Sequence, residues 1–229
     1  MSKIEKKIIA IGGVGVSPES DKELDNFIIN HSKKMKNNIG FLGTASKDDK
    51  EKINKFYKRF DNTSSELSHF NLTSDIDGFH EWLLSKDIVY VGGGNTFYML
   101  EIWKKNSLEQ VFKKAYEKGL ILSGVSAGAV CWFEWILSDS MGRGFEPLKG
   151  INLIEGSCTP HSDNIERINE FEFNIKNNKL PNGVAIDDGV AVVFIDGKPT
   201  EVYSSINNHN AYFLDKNTKI NLKEYIKNI

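Results

Sequence analysis

The sequence lacks most of what would tie a chain down covalently or send it elsewhere. Its two cysteines, Cys131 and Cys158, are too few for a disulfide framework and read as free thiols of a reducing compartment. No sign of charge prevails: 29 basic and 31 acidic groups leave a formal net charge of −2 and are interleaved along the chain. That balance argues against nucleic acid and membrane surfaces as partners. No apolar run approaches the ~20 residues that span a bilayer. After Met1-Ser2-Lys3-Ile4-Glu5-Lys6-Lys7 only Ile8 to Ile11 precede Gly12, too short a run for a signal-peptide core. A cytoplasmic protein is expected. A full dinucleotide fingerprint is missing too. Gly13 and Gly15 match its spacing, but Pro18 stands where the third glycine belongs, and Gly43-Thr44 follow the second strand where an acid would be needed.

What is present is an ordinary globular composition, 40% hydrophobic and 26% charged over 229 residues. That length buries one substantial core, and no repeat or long linker divides it, so one domain over residues 1–229 is expected. Short β-branched runs alternate with amphipathic stretches, the pattern of βαβ units around a parallel sheet. Strands are expected at Ile8–Ile11, Ile39–Leu42, Ile88–Val91 and Ile121–Val125. Capping pairs Ser20/Glu23, Ser46/Asp49 and Ser107/Gln110 open helices between them. A helix is expected from Ala127 to about Trp135 and another from about Asp163 to Asn177. Val184–Ile186 and Val190–Ile195 read as strands, the second closed by a hairpin turn at Asp196-Gly197, and Tyr212–Leu214 as an edge strand.

The chemistry gathers at Gly124-Val125-Ser126-Ala127-Gly128. Gly-x-Ser-x-Gly recurs by chance, but here it follows a buried strand and precedes a helix-forming segment. Such an elbow exposes the serine hydroxyl above the carboxyl ends of the strands, beside free N–H groups at the helix start. A serine needs a base to act as a nucleophile. Of five histidines, His31, His69, His80 and His209 lie in ordinary helical, strand-flanking or polar-turn contexts. His161 follows Thr159-Pro160 and sits on a loop beside a helix start, with Ser162 and Asp163 as candidate caps. The orienting acid is open among Asp188, Asp187 and Asp139. Gly92-Gly93-Gly94-Asn95-Thr96 forms a second strand-to-helix junction, where Gly93 or Gly94 can join the amide of Ala127 as an oxyanion donor. His161 and Cys158 lack partners at metal spacing, and no metal or organic cofactor is required.

Together, Gly-Gly-Gly-Asn-Thr at 92–96, Gly-x-Ser-Ala-Gly-Ala at 124–129, Cys131-Trp132-Phe133-Glu134, Asp139-Ser140, Pro160-His161 and Ile186-Asp187-Asp188-Gly189 resemble peptidase family S51. That family includes peptidase E, an aspartyl dipeptidase, and more distantly cyanophycinase. The resemblance implies a three-layer, doubly wound α/β fold with a mostly parallel sheet and helices on both faces. The fold is that of the class I glutamine amidotransferases, here with an added C-terminal β-hairpin. It implies Ser126 as nucleophile, His161 as base and an acidic third member; Asp188 is taken as that acid with Asp187 and Asp139 still open, and the amides of Gly94 and Ala127 are taken as oxyanion donors. It also implies a small peptide substrate, with N-terminal aspartate as the suggested preference. Asn95, Thr96 and Arg167 are expected near that substrate, with Arg143 a further arginine in the loop 138–150; a homodimer is left open. Two rivals stand beside this reading. One is an esterase or amidase, whose order Ser, acid, His would call on His209; the other is a catalytically silent ligand-binding module.

Overall fold

The computed structural model describes residues 4–14, 18–61 and 63–228, and only the backbone of residues 18–20. Its first sheet is built from β1 (Lys7–Ile11), β2 (Asn38–Leu42), β3 (Glu66–Phe70), β4 (Ile88–Val91) and β5 (Ile121–Val125), joined by two strands from later in the chain. A second sheet takes β6 (Phe133–Ser138), β7 (Glu146–Lys149), β8 (Ile154–Thr159) and β9 (Gly183–Ile186). The chain then returns to the first sheet with β10 (Val190–Ile195) and β11 (Lys198–Ser204), and ends in the second with β12 (Ala211–Leu214) and β13 (Lys219–Asn221). The helices are α1 (Pro18–Asn30), α2 (Lys50–Phe60), α3 (Phe79–Leu84), α4 (Thr96–Lys105), α5 (Leu108–Glu117), α6 (Ala127–Val130), α7 (Ile165–Lys176) and α8 (Leu222–Lys227).

The first sheet runs β11-β10-β1-β5-β4-β2-β3, parallel from β1 to β3, with the β10–β11 hairpin antiparallel at one side. Alternation along β1 explains the layers. Ile8 and Ala10 face a cluster with Leu83 of α3, Trp103 of α4 and Phe112 of α5, whereas Ile9 and Ile11 face Leu24 and Ile28 of α1 and Phe56 of α2. A strand buried on both faces needs such a continuous apolar run, and helices on both sides follow from it. The three-layer, doubly wound α/β arrangement and the added hairpin are thus as expected.

The second sheet runs β13-β12-β9-β8-β6-β7, with β6, β8 and β9 parallel. It was not foreseen. The helix expected from Ala127 to about Trp135 stops at Val130, and Phe133–Ser138 becomes β6, paired with β8 and β7. Aromatic and β-branched residues suit a pleated surface better than a helix, and pairing partners settle the outcome. Tyr212–Leu214 lies between β9 and β13 instead of at an edge. The larger apolar cluster runs from Ile8 and Val89 of the first sheet to Ile136, Cys158 and Ile186 of the second, so both share one core.

Local caps decide where helices begin. Asp49 accepts from the Lys52 amide at α2, and Asn95 from the Tyr98 amide at α4. Ser107 precedes α5 with φ of 56° and makes no capping bond. The Ser20 side chain lies outside the described residues. No helix among the described residues is long and apolar enough to cross a membrane.

The elbow is also where packing is tightest. A Cβ on Gly128 would lie 2.1 Å from the carbonyl oxygen of Val91, which belongs to a buried strand that cannot yield. Gly128→Ala is expected to lower stability by about 3 kcal/mol, near the upper end for overpacking. A fall in the urea midpoint at unchanged slope is the measurement that checks it.

Candidate active site

β5 runs into Ser126, which the amide-to-carbonyl bond to Ile11 (2.9 Å) ties to the end of β1. Ser126 itself has φ 54° and ψ −115°, a conformation that L-residues rarely adopt and that a nucleophile elbow imposes. As the first residue of α6, Ala127 has an amide with no acceptor inside the helix. Gly124 and Gly128 let the turn close; any side chain at 128 would meet β4.

His161 comes from the loop between β8 and α7, also at positive φ (51°). Its Nε2 stands 2.8 Å from Ser126 Oγ, and its Nδ1 2.5 Å from Asp188 Oδ1. A carboxylate can only accept, so Nδ1 carries the proton and Nε2 offers its lone pair to the serine hydroxyl. The structure therefore brings Ser126, His161 and Asp188 into one chain of hydrogen bonds. His161 and Asp188 remain about one-third exposed, open enough for a ligand to approach.

The two other acids go elsewhere. Asp187 is buried, accepts from Ser162 Oγ at 2.5 Å and from the Asn210 amide at 2.8 Å, and so holds the residue after His161. Asp139 pairs with Arg167 at 3.0 Å. Successive side chains point to opposite sides of the chain, so adjacent aspartates hold adjacent residues. Ser162 and Asp163 do not cap α7; Asn164 does, accepting from the Arg167 amide. Asp163 instead accepts from the Asp188 amide at 3.0 Å. His209 places Nδ1 2.8 Å from the Asp188 carbonyl oxygen, so its bond is to backbone and not to Ser126.

Asn95 is engaged twice, capping α4 and donating to the Ser140 carbonyl at 2.9 Å, which stitches the loop after β6 onto α4. The turn before it is held by the Gly92 amide on Leu42 and the Asn95 amide on Ala45. Lys52 donates to the Gly93 carbonyl at 3.1 Å. That peptide is trans, so the Gly94 N–H points away from Lys52.

Ser126 and His161 stand between two recesses. One, of about 330 Å³, is lined by Gly94, Thr96, Ser138, Asp139 and Arg167. Thr96 and Arg167 are both buried there, and the guanidinium lies 4.6 Å from the Phe145 ring centre. The other, of about 250 Å³, is lined by Phe41, Phe56, Tyr90 and Gly93 with Lys52 and Lys55. Arg143, on the exposed loop, lines neither. Burial pushes the Cys131 thiol up, which removes it as a competing nucleophile beneath the elbow. Among the described residues no three His, Cys, Asp or Glu side chains gather as a metal site.

Gly13 has a role that glycine spacing alone could not show. A Cβ there would sit 1.8 Å from Asp188 Oδ1 and 2.8 Å from His161 Nδ1. The Gly12-Gly13 pair that raised the nucleotide alternative thus leaves room for the His161–Asp188 contact. Gly13→Ala is expected to push the carboxylate off the imidazole and slow fluorophosphonate labelling of Ser126 by about 10³-fold or more, approaching the loss from removing a triad acid. Circular dichroism should show the fold unchanged, because the clashing atoms are side-chain ends.

Known proteins share this fold. A model of peptidase family S51 matches residues 8–202. An uncharacterized peptidase of Bacillus subtilis, YgaJ, is 38% identical over 213 residues, covering 90% of this chain and 91% of that protein. An uncharacterized peptidase of Listeria innocua, Lin0382, is 25% identical over 176 residues, covering 70% and 80%. The crystal structure of a peptidase from an acI-B1 Actinobacterium superposes with a TM-score of 0.70 at 17% identity, covering 96% of this chain and 95% of that one, a likeness of fold. With the family match running from β1 into β11 and over every residue of the Ser126 elbow, the chain belongs to peptidase family S51 and is a serine-type peptidase.

Proposed function

We propose that the protein hydrolyses short peptides, dipeptides with N-terminal aspartate among them, through a Ser126–His161–Asp188 triad and an acyl-enzyme. The observation that carries this reading is the unbroken contact from Asp188 through His161 to Ser126 Oγ. Ser126 attacks the scissile carbonyl while His161 Nε2 takes its proton. The amides of Gly94 and Ala127 receive the oxyanion, and Asp188 holds the imidazole tautomer and steadies its positive charge. His161 then gives the proton to the departing amine. Water, deprotonated by the same imidazole, adds to the ester and releases the acid and Ser126. The imidazole ends each cycle in its starting state, so no further acid or base is consumed.

The recess beside Gly94 supports an aspartate as the acyl residue. An N-terminal aspartate presents an α-ammonium and a β-carboxylate, and the recess presents Asp139 and Arg167 side by side. Thr96 lies in the same wall, while Asn95 acts through the loop it holds. Recesses of this size lie close to the ~300 Å³ at which small-molecule pockets begin, which favours a substrate of about one residue on each side of Ser126. His209, the histidine that an esterase-like order would use, is engaged by a carbonyl, which disfavours that rival. The shared hydrophobic cluster supports one functional unit across the chain, and two buried, unpaired cysteines fit a cytoplasmic setting.

A dipeptide screen with varied first residues tests the proposal. Asp-Xaa substrates are expected to have the highest kcat/KM. Ser126→Ala and His161→Ala should each lower kcat by about 10⁶-fold and Asp188→Ala by about 10⁴-fold. Arg167→Met should raise KM for Asp-first substrates ten-fold or more while sparing Ala-first ones. Cleavage of larger esters or amides with no dipeptide cleaved would sink the dipeptidase assignment and keep the hydrolase.

A further inference from the structure

The aromatic recess on the other side of Ser126 has no part in binding the acyl residue, yet it opens on the same two reacting side chains. Its floor is Phe41 stacked on Phe56 at 4.9 Å between ring centres, with Tyr90 6.3 Å from Phe41. All three are held in the core that β2, β4 and α2 share. Its rim carries Lys52 and Lys55 from the exposed side of α2. Arg59 also borders it, but the buried carboxylate of Asp25 binds that guanidinium through both oxygens, at 2.9 and 2.5 Å. Arg59 is thus already neutralised. The Lys52 ammonium, in contrast, is held among the described residues only by the neutral carbonyl of Gly93 at 3.1 Å, a bond it can share or exchange with an anion.

We infer that this recess is the leaving-residue subsite, and that it takes a large apolar or aromatic residue bearing a free α-carboxylate. The inference rests on the peptidase reading above, which puts the acyl residue beside Gly94 and Arg167. The chemistry follows from the surfaces. A ring of the leaving residue buries its faces against Phe41, Phe56 and Tyr90, where offset or edge contacts are favourable. Its carboxylate, one carbon from the departing nitrogen, stays near the rim and meets the ammonium of Lys52, with Lys55 one helical turn away. A leaving residue without that carboxylate loses the ion contact, and one with a polar side chain loses hydration against an aromatic floor. The site therefore selects for exopeptidase action on the last residue of a two-residue substrate.

The test holds the first residue as aspartate and varies the second. Wild-type protein is expected to cleave Asp-Phe and Asp-Leu with kcat/KM at least ten-fold above Asp-Ala and Asp-Lys, and Asp-Phe about five-fold above Asp-Phe-amide, as exposed lysines allow. Lys52→Met with Lys55→Met should bring the preference for the acid over the amide close to one, by lowering the rate on Asp-Phe about five-fold more than the rate on Asp-Phe-amide. Equal rates on acid and amide in wild type overturn the inference, as does an equal loss on both in the variant, which would mean that Lys52 acts only by holding Gly93. The same peptides titrated calorimetrically into Ser126→Ala read the subsite without turnover. Should the wild type cleave none of them and resist fluorophosphonate labelling, the proposed function fails; tighter binding of Asp-Phe than of its amide then still upholds the subsite, and equal or absent binding overturns it.

Discussion

The carbonyl of Ile11 accepts the Ser126 amide, and two residues further on the carbonyl of Gly13 accepts the amide of Gly189, next to Asp188. Between them the Gly12 amide bonds to the carbonyl of Val190. Three consecutive residues at the carboxyl end of β1 therefore grip both arms of the site: β5, which leads into Ser126, and the corner between β9 and β10, which carries Asp188. These bonds are backbone to backbone, so they continue the sheet itself. That makes the separation of Ser126 from Asp188 a property of strand spacing, and His161 need only reach between two fixed points. The absence of a side chain on Gly13 is the other half of the same constraint, because that Cβ would occupy the carboxylate's place.

Both central residues sit at positive φ, Ser126 at 54° and His161 at 51°, and such backbone persists only where its surroundings over-determine it. Ser126 is held by β1 on one side and by the start of α6 on the other. His161 is held from the next residue: the Ser162 amide bonds to the Ile186 carbonyl, and its hydroxyl to Asp187. Asp163 returns the favour by accepting from the Asp188 amide. Two neighbouring loops are thus cross-linked at two successive residues each. The Asp187-Asp188 pair works because alternation sends one carboxylate into the scaffold and the other to the imidazole.

The parts of the site legible in the sequence were those fixed by local chemistry. The elbow followed from glycines around a serine after a buried strand, and His161 from a proline before it and a helix after it. Which aspartate meets His161 was not legible, because Asp187 and Asp188 differ only in which way the chain turns, and Asp139 also lies downstream of the elbow. The bond from Ser162 to Asp187 is a contact over 25 residues that leaves no local mark; Ser162 looked like a helix cap. Gly12-Gly13 was visible but its role was not, since its neighbour in space lies more than 170 residues away in the chain. The second sheet was hidden for a similar reason. Phe133–Ser138 reads as the tail of a helix until β7 and β8 are there to pair with it.

Charge decides what the two recesses can discriminate. Arg167 is 7% exposed, too deep to be left without a partner, and Asp139 supplies one in the empty enzyme. The side chain of Asp139 is 58% exposed, so the strength of that pair falls well below the ~3–5 kcal/mol that breaking a fully buried pair costs. A ligand carboxylate can accordingly join the guanidinium, which has further N–H groups, without first breaking a costly contact. A neutral side chain in the same place gains nothing and shields Asp139 from water. Across Ser126 the lysines are exposed and carry little affinity of their own, because surface ion pairs are worth only ~0–1 kcal/mol. Preference in that recess must therefore come first from aromatic burial, with the ammonium groups setting which end of the leaving residue faces the rim. Two small recesses of unlike chemistry thus flank one serine, and under the proposed function that difference gives direction to a substrate that would otherwise fit either way round.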